Sequence, residues 1–153
     1  MITVTASIVV QAPIEDVFAF VTDARNNVLW QANAGLQSTQ QAPEDAVGVG
    51  TRITEVWRFM GRNAESVGEV VNYEPNRSYT RRLIAGTSPI KEGTAAFAPD
   101  AEGTRWTSTF QVHAGGFFAM AEPLLANTVK KGMETSMSTA KEVIERRVTS
   151  SAR

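Results

Sequence analysis

FFAMAEPLLANTVKKGMETSMSTAKEVIERRV, from Phe117 to Val148, has the spacing of one long amphipathic helix, and it follows about a hundred residues of strand-like sequence. Leu125, Val129, Gly132, Met133, Ser136, Met137, Ala140 and Ile144 fall on one stripe. Lys130, Lys131, Glu134, Lys141, Glu142 and Glu145 occupy the opposite face and read as solvated, with Glu142 and Arg146 as an i, i+4 pair. Gly132, Ser136 and Ala140 thin the buried stripe in its middle. The helix therefore either lies very close to what it covers or leaves a hollow beneath it. A terminal helix after a series of strands predicts a curved sheet closing around that helix.

Upstream, Gly115 and Gly116 release the chain into the helix, and Pro123 should kink it or end a preliminary turn at Glu122. Strand-like runs cover Thr51–Met60, Asn63–Asn72, Ser78–Ala85, Ile90–Ala98 and Thr104–Ala114. The gaps between them are short turns, Gly61 with Arg62 among them, so neighbours in sequence should be antiparallel neighbours in space. The region from Ala42 to Gly50, with Pro43 and two glycines, reads as loop. MITVTASIVVQAP at the start alternates Ile2, Val4, Ala6, Ile8 and Val10 against small polar residues; it is a strand and not a signal peptide. Pro13 then opens a helix with Ile14, Val17, Phe18 and Val21 on its apolar face, and Asp23 caps a second short helix running to Trp30.

The chain of 153 residues is long enough for one domain with a real core, expected over 1–148 with a frayed tail at 149–153. Fifteen basic and sixteen acidic residues nearly cancel, so neither nucleic acid nor an anionic membrane is an expected partner. Without cysteine and with one histidine, thiolate catalysis, disulfides and multi-histidine metal sites are excluded. No apolar run approaches the ~20 residues of a membrane span, which makes a cytoplasmic location the default and stable membrane insertion unexpected. The oligomeric state has no signature in the sequence.

The residues APIEDVFAFVTD with Trp30 beyond them, VGVGTR at 47–52, Gly61 with Arg62 and Glu65, YEPNR at 73–77, GTRWT at 103–107 and AEPLL at 121–125 occur in an order that resembles the START-like superfamily. The nearest likeness is to its bacterial polyketide cyclase/dehydrase and lipid-transport branch. The resemblance implies an α+β helix-grip fold: a curved, antiparallel, seven-stranded sheet wrapped around the C-terminal helix, with two short helices between strands 1 and 2. It implies binding of a hydrophobic or aromatic small molecule between sheet and helix, with no cofactor. Two alternatives are a polyketide cyclase- or dehydratase-like enzyme and a chaperone-activator-like interaction module. The superfamily has no universal catalytic motif, and a shared fold is weak evidence for a reaction.

On the run 51–60, Ile53, Glu55, Trp57 and Phe59 form the better candidate for the inner face, which places a carboxylate inside. A reversal at Gly61 and Arg62 puts Glu55 opposite Gly68, and the next turn brings Arg81 and Arg82 alongside, so Glu55 and one of these arginines share a row across three strands. The sequence leaves open which arginine faces inward. The pair reads either as a structural ion pair or as a ligand clamp with Glu55 as acceptor or base. Candidate catalytic residues are thus Glu55, Arg81, Tyr79 and His113, although His113 falls in phase with the polar side of its strand. Candidate ligand-binding residues are Trp57, Phe59, Tyr79, Arg81, Phe97, Phe110, Met133 and Met137, apart from the alternative that they simply pack the core. Trp106 reads as structural, and no metal site is expected.

Overall fold

The computed structural model describes residues 1–59 and 61–151; the side chains of Phe59, Phe117 and Phe118 also lie outside the described set. Strand β1 (Ile2–Val10) is followed by α1 (Ile14–Thr22), a 3-10 turn at Ala24–Asn26, the short α2 (Asn27–Gln31) and a second 3-10 turn at Ala32–Ala34. Six strands then succeed one another: β2 (Leu36–Ala42), β3 (Arg52–Phe59), β4 (Arg62–Glu74), β5 (Ser78–Gly86), β6 (Ile90–Asp100) and β7 (Gly103–Val112). A 3-10 turn at Gly116–Ala121 leads into α3 (Glu122–Ser151). Every strand pair is antiparallel, in the order β1-β7-β6-β5-β4-β3-β2. The fold is the helix-grip arrangement that the resemblance implies.

A preliminary 3-10 turn ends at Glu122, one of the two outcomes expected of Pro123, while the end of the helix and strand β2 differ from the sequence reading. The α-helix begins at Glu122, because Pro123 in the first turn needs no N–H partner there, and the residues before it wind as a 3-10 turn. It continues past Val148 to Ser151, the Thr149 hydroxyl donating to the Glu145 carbonyl at 2.9 Å. Strand β2 has no apolar alternation to betray it. Only Leu36 and Gln41 are buried along it, and Gln41 acts through its amide, accepting from the Ala24 N–H at 3.1 Å and donating to the Pro43 carbonyl at 3.1 Å.

Inward positions of β1 and β7 match the alternation of the sequence: Val4, Val10, Trp106 and Val112 are buried. With Phe18, Phe97, Ile53, Val70, Ala140 and Ile144 they fill the space between sheet and helices. Each fully buried aliphatic or aromatic side chain contributes about 1.5–3 kcal/mol. Helix α3 leans on β1, β7 and the short helices, away from the inner face of β3 to β6. Gly35 fixes the chain leaving α2 against β3: its φ is +110°, and a Cβ there would sit 2.3 Å from the Arg58 carbonyl oxygen, so only glycine allows this approach.

Not all of the charged face of α3 is solvated. The Lys141 ammonium donates to the Val9 carbonyl at 3.0 Å and pairs with Glu145, whose carboxylate also accepts from the Gln11 N–H at 2.8 Å. This clamp fastens the helix to the end of β1. Burial pushes the Glu145 carboxyl up, but Lys141 and the Gln11 N–H outweigh it and hold the carboxyl below the ordinary 4.5. The folded protein therefore releases this proton more readily than the unfolded chain, and the stabilisation is complete above pH 4.5 and lost as pH falls below it. Glu145→Gln should lower Tm by about 2–4 °C at pH 7, for a loss of about 1 kcal/mol. The gap from wild type, followed by thermal melts across pH, should close on acidification below that value.

Candidate functional site

Where α3 leans away from the sheet, a cavity of about 330 Å³ remains. Its walls come from β3 to β7, from α2, from the Thr87–Pro89 loop and from the middle of α3. Gly132, Met133, Ser136 and Met137 supply the helical wall, so the thin stripe does both things its composition allowed. A Cβ on Gly132 would lie 3.5 Å from the Ala34 Cβ, which marks close approach, while Met133 and Ser136 border open space.

Glu55 is buried on β3, its side chain 5% exposed, and Arg81 on β5 reaches it across β4 with Nη2 2.8 Å from Oε1. Gly68 is the residue beneath that crossing, since a Cβ on it would meet Arg81 Nε at 3.8 Å. The register differs from the expected one: Phe59 pairs with Arg62, Glu55 lies opposite Ser66, and Gly68 lies opposite Ile53. The reversal falls one residue earlier than Gly61–Arg62, which moves each partner by two and so keeps every side chain on its expected face. On the next strand a bulge at Val67 and Gly68 places Gly68 opposite Leu83, Glu69 opposite Arg82 and Val70 opposite Arg81. Arg81 is thus the inward arginine. Arg82 points outward and pairs with Glu92 at 3.2 Å.

Two further donors approach Glu55, Trp57 Nε1 and Asn27 Nδ2, each at 3.4 Å. Burial works against the charge on Arg81, but Glu55 and Tyr79 overcome it and hold the guanidinium pKa above the ordinary arginine value. Burial raises the Tyr79 phenol, with Arg81 opposing. Tyr79 is therefore a neutral donor or acceptor near neutrality rather than a base. Arg81, 26% exposed, spends one N–H direction on Glu55 and keeps others facing the cavity side of the sheet.

Trp57, Tyr79, Arg81, Phe110, Met133 and Met137 all line the cavity, as their sequence pattern predicts. Phe110 lies over Gly93, where a Cβ would come within 2.9 Å of its ring. Phe97 does not line it: its ring stacks on Trp106 at 6.4 Å and meets Phe18 edge-on at 5.3 Å, one layer into the core. The Phe59 side chain lies outside the described residues. Trp106 is fully buried and core-forming, yet it also borders the cavity. His113 sits beyond the end of β7, 47% exposed, with Nδ1 3.5 Å from Glu122, and is not part of the lining. Its backbone N–H instead donates to the Pro89 carbonyl at 2.8 Å, pinning the loop at the cavity rim.

The sequence reading missed the α2 wall. Asn27 and Trp30 are three residues apart on one helix face and both border the cavity. An asparagine three residues before a tryptophan, Asn27 and Trp30, was the signal available. Among the described residues no cluster of three or more His, Asp or Glu side chains gathers as a metal site would, and no helix is long and apolar enough to cross a membrane.

A family model described as polyketide cyclase/dehydrase and lipid transport matches residues 1–145. No curated protein sequence matches the chain closely enough to count as a relative. Among solved structures, TTHA0849 from Thermus thermophilus is similar with a TM-score of 0.77 at 20% identity, over 94% of this chain and 97% of that one. The Zhui aromatase/cyclase from a Streptomyces species has a TM-score of 0.70 at 18% identity, over 96% and 95%. The di-domain ARO/CYC StfQ of the steffimycin biosynthetic pathway has a TM-score of 0.73 at 14% identity, covering 96% of this chain and 52% of that one. At these identities the likeness establishes the fold alone.

Removing Arg81 would leave a buried carboxylate uncompensated. Arg81→Ala should cost about 3 kcal/mol in urea denaturation, the low end for a broken buried pair because the guanidinium is partly exposed. Arg82→Ala, which loses only an exposed pair, should cost no more than about 0.5 kcal/mol.

Proposed function

Because the chain belongs to the polyketide cyclase/dehydrase and lipid transport family, we propose that it binds an apolar, aromatic small molecule in the cavity between its sheet and α3. The observation that carries this reading is the cavity itself. At about 330 Å³ it falls within the range of small-molecule sites, and its wall combines Trp57, Tyr79, Phe110, Met133 and Met137 with the Glu55–Arg81 pair. Flat rings and thioethers suit a planar apolar ligand. The N–H groups of Arg81 not used by Glu55 suit an oxygen on it. The reading requires neither metal nor organic cofactor.

The cyclase- or dehydratase-like reading draws on the same wall. Glu55, Arg81 and Tyr79 stand at the cavity, where Glu55 would accept a proton and Arg81 would stabilise an enolate or phenolate oxygen. His113 has no part in it. The interaction-module reading would be favoured by a filled interior and an exposed apolar patch, and a cavity of this size weighs against it.

The test is occupancy. Titration with 2-methylnaphthalene, followed by quenching of tryptophan fluorescence, should saturate at one ligand per chain. Met133→Trp places an indole in the hollow; it should fold with a Tm near that of wild type and lose the binding. A loss of about 1–3 kcal/mol in the variant would instead indicate a packed interior, and absence of saturable binding to the wild type would overturn the reading.

A further inference from the structure

The cavity wall differs in charge from the chain as a whole. The chain has a formal net charge of −1, yet four cationic residues border the cavity, Arg58, Arg81, Arg82 and Lys91, against two acidic ones, Glu55 and Glu92. Both acids are already engaged: Glu55 pairs with Arg81 at 2.8 Å and Glu92 with Arg82 at 3.2 Å. Arg58 is exposed. Lys91 is half-buried, and among the described residues it has no carboxylate within ion-pair distance.

A bulge sets Lys91 at the rim. Ile90 pairs with Val112 and Glu92 with Gln111, two consecutive residues of β7, so Lys91 is the extra residue of β6 and has no partner across the strand. Its ammonium donates to the Ser88 carbonyl at 2.8 Å. That loop is itself held: Ser88 Oγ accepts from the Ile90 N–H at 3.1 Å, and the His113 N–H donates to the Pro89 carbonyl at 2.8 Å. An ammonium has three donors, and Ser88 takes one of them. Lys91 is thus a positioned cation with donors to spare, and beside a low-dielectric wall its field acts strongly on what enters the cavity.

A hydroxyl or carbonyl oxygen would accept from Lys91 and leave its charge unanswered. A phosphate dianion would bring more charge than one lysine answers. A carboxylate matches the charge and offers two acceptor oxygens to the two remaining donors. Resting on the cavity-binding reading above, we infer that the ligand is an aromatic acid whose ring system occupies the cavity and whose carboxylate pairs with Lys91 at the rim. The site is separate from the Arg81 guanidinium, whose charge Glu55 already balances.

Two probes of similar shape separate this inference from its premise. In the same fluorescence titration at neutral pH, 2-naphthoate should bind at least about tenfold more tightly than 2-methylnaphthalene, the margin expected of a charge-assisted hydrogen bond. Lys91→Gln should bring that ratio close to one. Lys91→Met, which keeps the apolar stem and loses the ammonium, should do the same and carries the test if Lys91→Gln does not fold. Equal binding of both probes to the wild type, or weaker binding of the acid, overturns the carboxylate site and leaves the cavity reading standing. So does a preference that survives in the Lys91 variants, which would put the carboxylate on another cation. If 2-methylnaphthalene does not bind, the cavity reading falls and takes the site with it.

Discussion

One straight helix laid into a curved sheet of seven strands can touch only part of its inner face, and the character of this molecule follows from where α3 makes that contact. It is drawn toward β1 and the short helices by Gly132 against Ala34, by the Lys141–Glu145 clamp on the end of β1, and by Ile144 and Ala140 in the main core. The opposite flank, over β3 to β6, is left unfilled by α3. The small residues of the helix and the cavity are thus two results of one packing choice, because interiors otherwise close to crystal-like density.

The wall of the hollow includes the buried Glu55–Arg81 pair as well as Arg58, Arg82, Lys91 and Glu92. Taking two charges from water is costly, and a buried ion pair is a poor way to gain stability compared with apolar packing. The sheet nevertheless builds one across three strands, with a glycine beneath the crossing and two further donors approaching the carboxylate. Its position at the cavity wall is what the binding proposal draws on.

The α2 wall also explains how a short, weak helix comes to matter. At five residues α2 cannot hold itself together by its own hydrogen bonds. Gly35 behind it, Gln41 bonded to Ala24, and Trp30 packed on Trp106 hold it in place from outside. Its cavity-bordering side chains, Asn27 and Trp30, are therefore positioned by the packing around it and not by the helix alone.

Local periodicity was enough to order the helices and six of the seven strands and to give the inward face of β1, β3 and β7. Alternation on β1, β3 and β7 and the stripe on α3 are properties of consecutive residues, and they marked Trp57, Phe110, Met133 and Met137 as candidates for the cavity and Glu55 as an inward carboxylate. Strand β2 escaped because an edge strand held by backbone pairing and a buried glutamine has no apolar pattern. The choice between Arg81 and Arg82 rested on register, which depends on where the reversal after β3 falls and on a bulge in β4, and neither has a one-residue signature. Phe97 and Phe110 look alike in sequence; only the stacking of Phe97 on Trp106 and the seat of Phe110 over Gly93 separate core from wall. What tertiary structure alone decided was the hollow and the neighbours facing it, because an empty volume is a property of distant segments failing to meet, and no stretch of chain encodes that by itself.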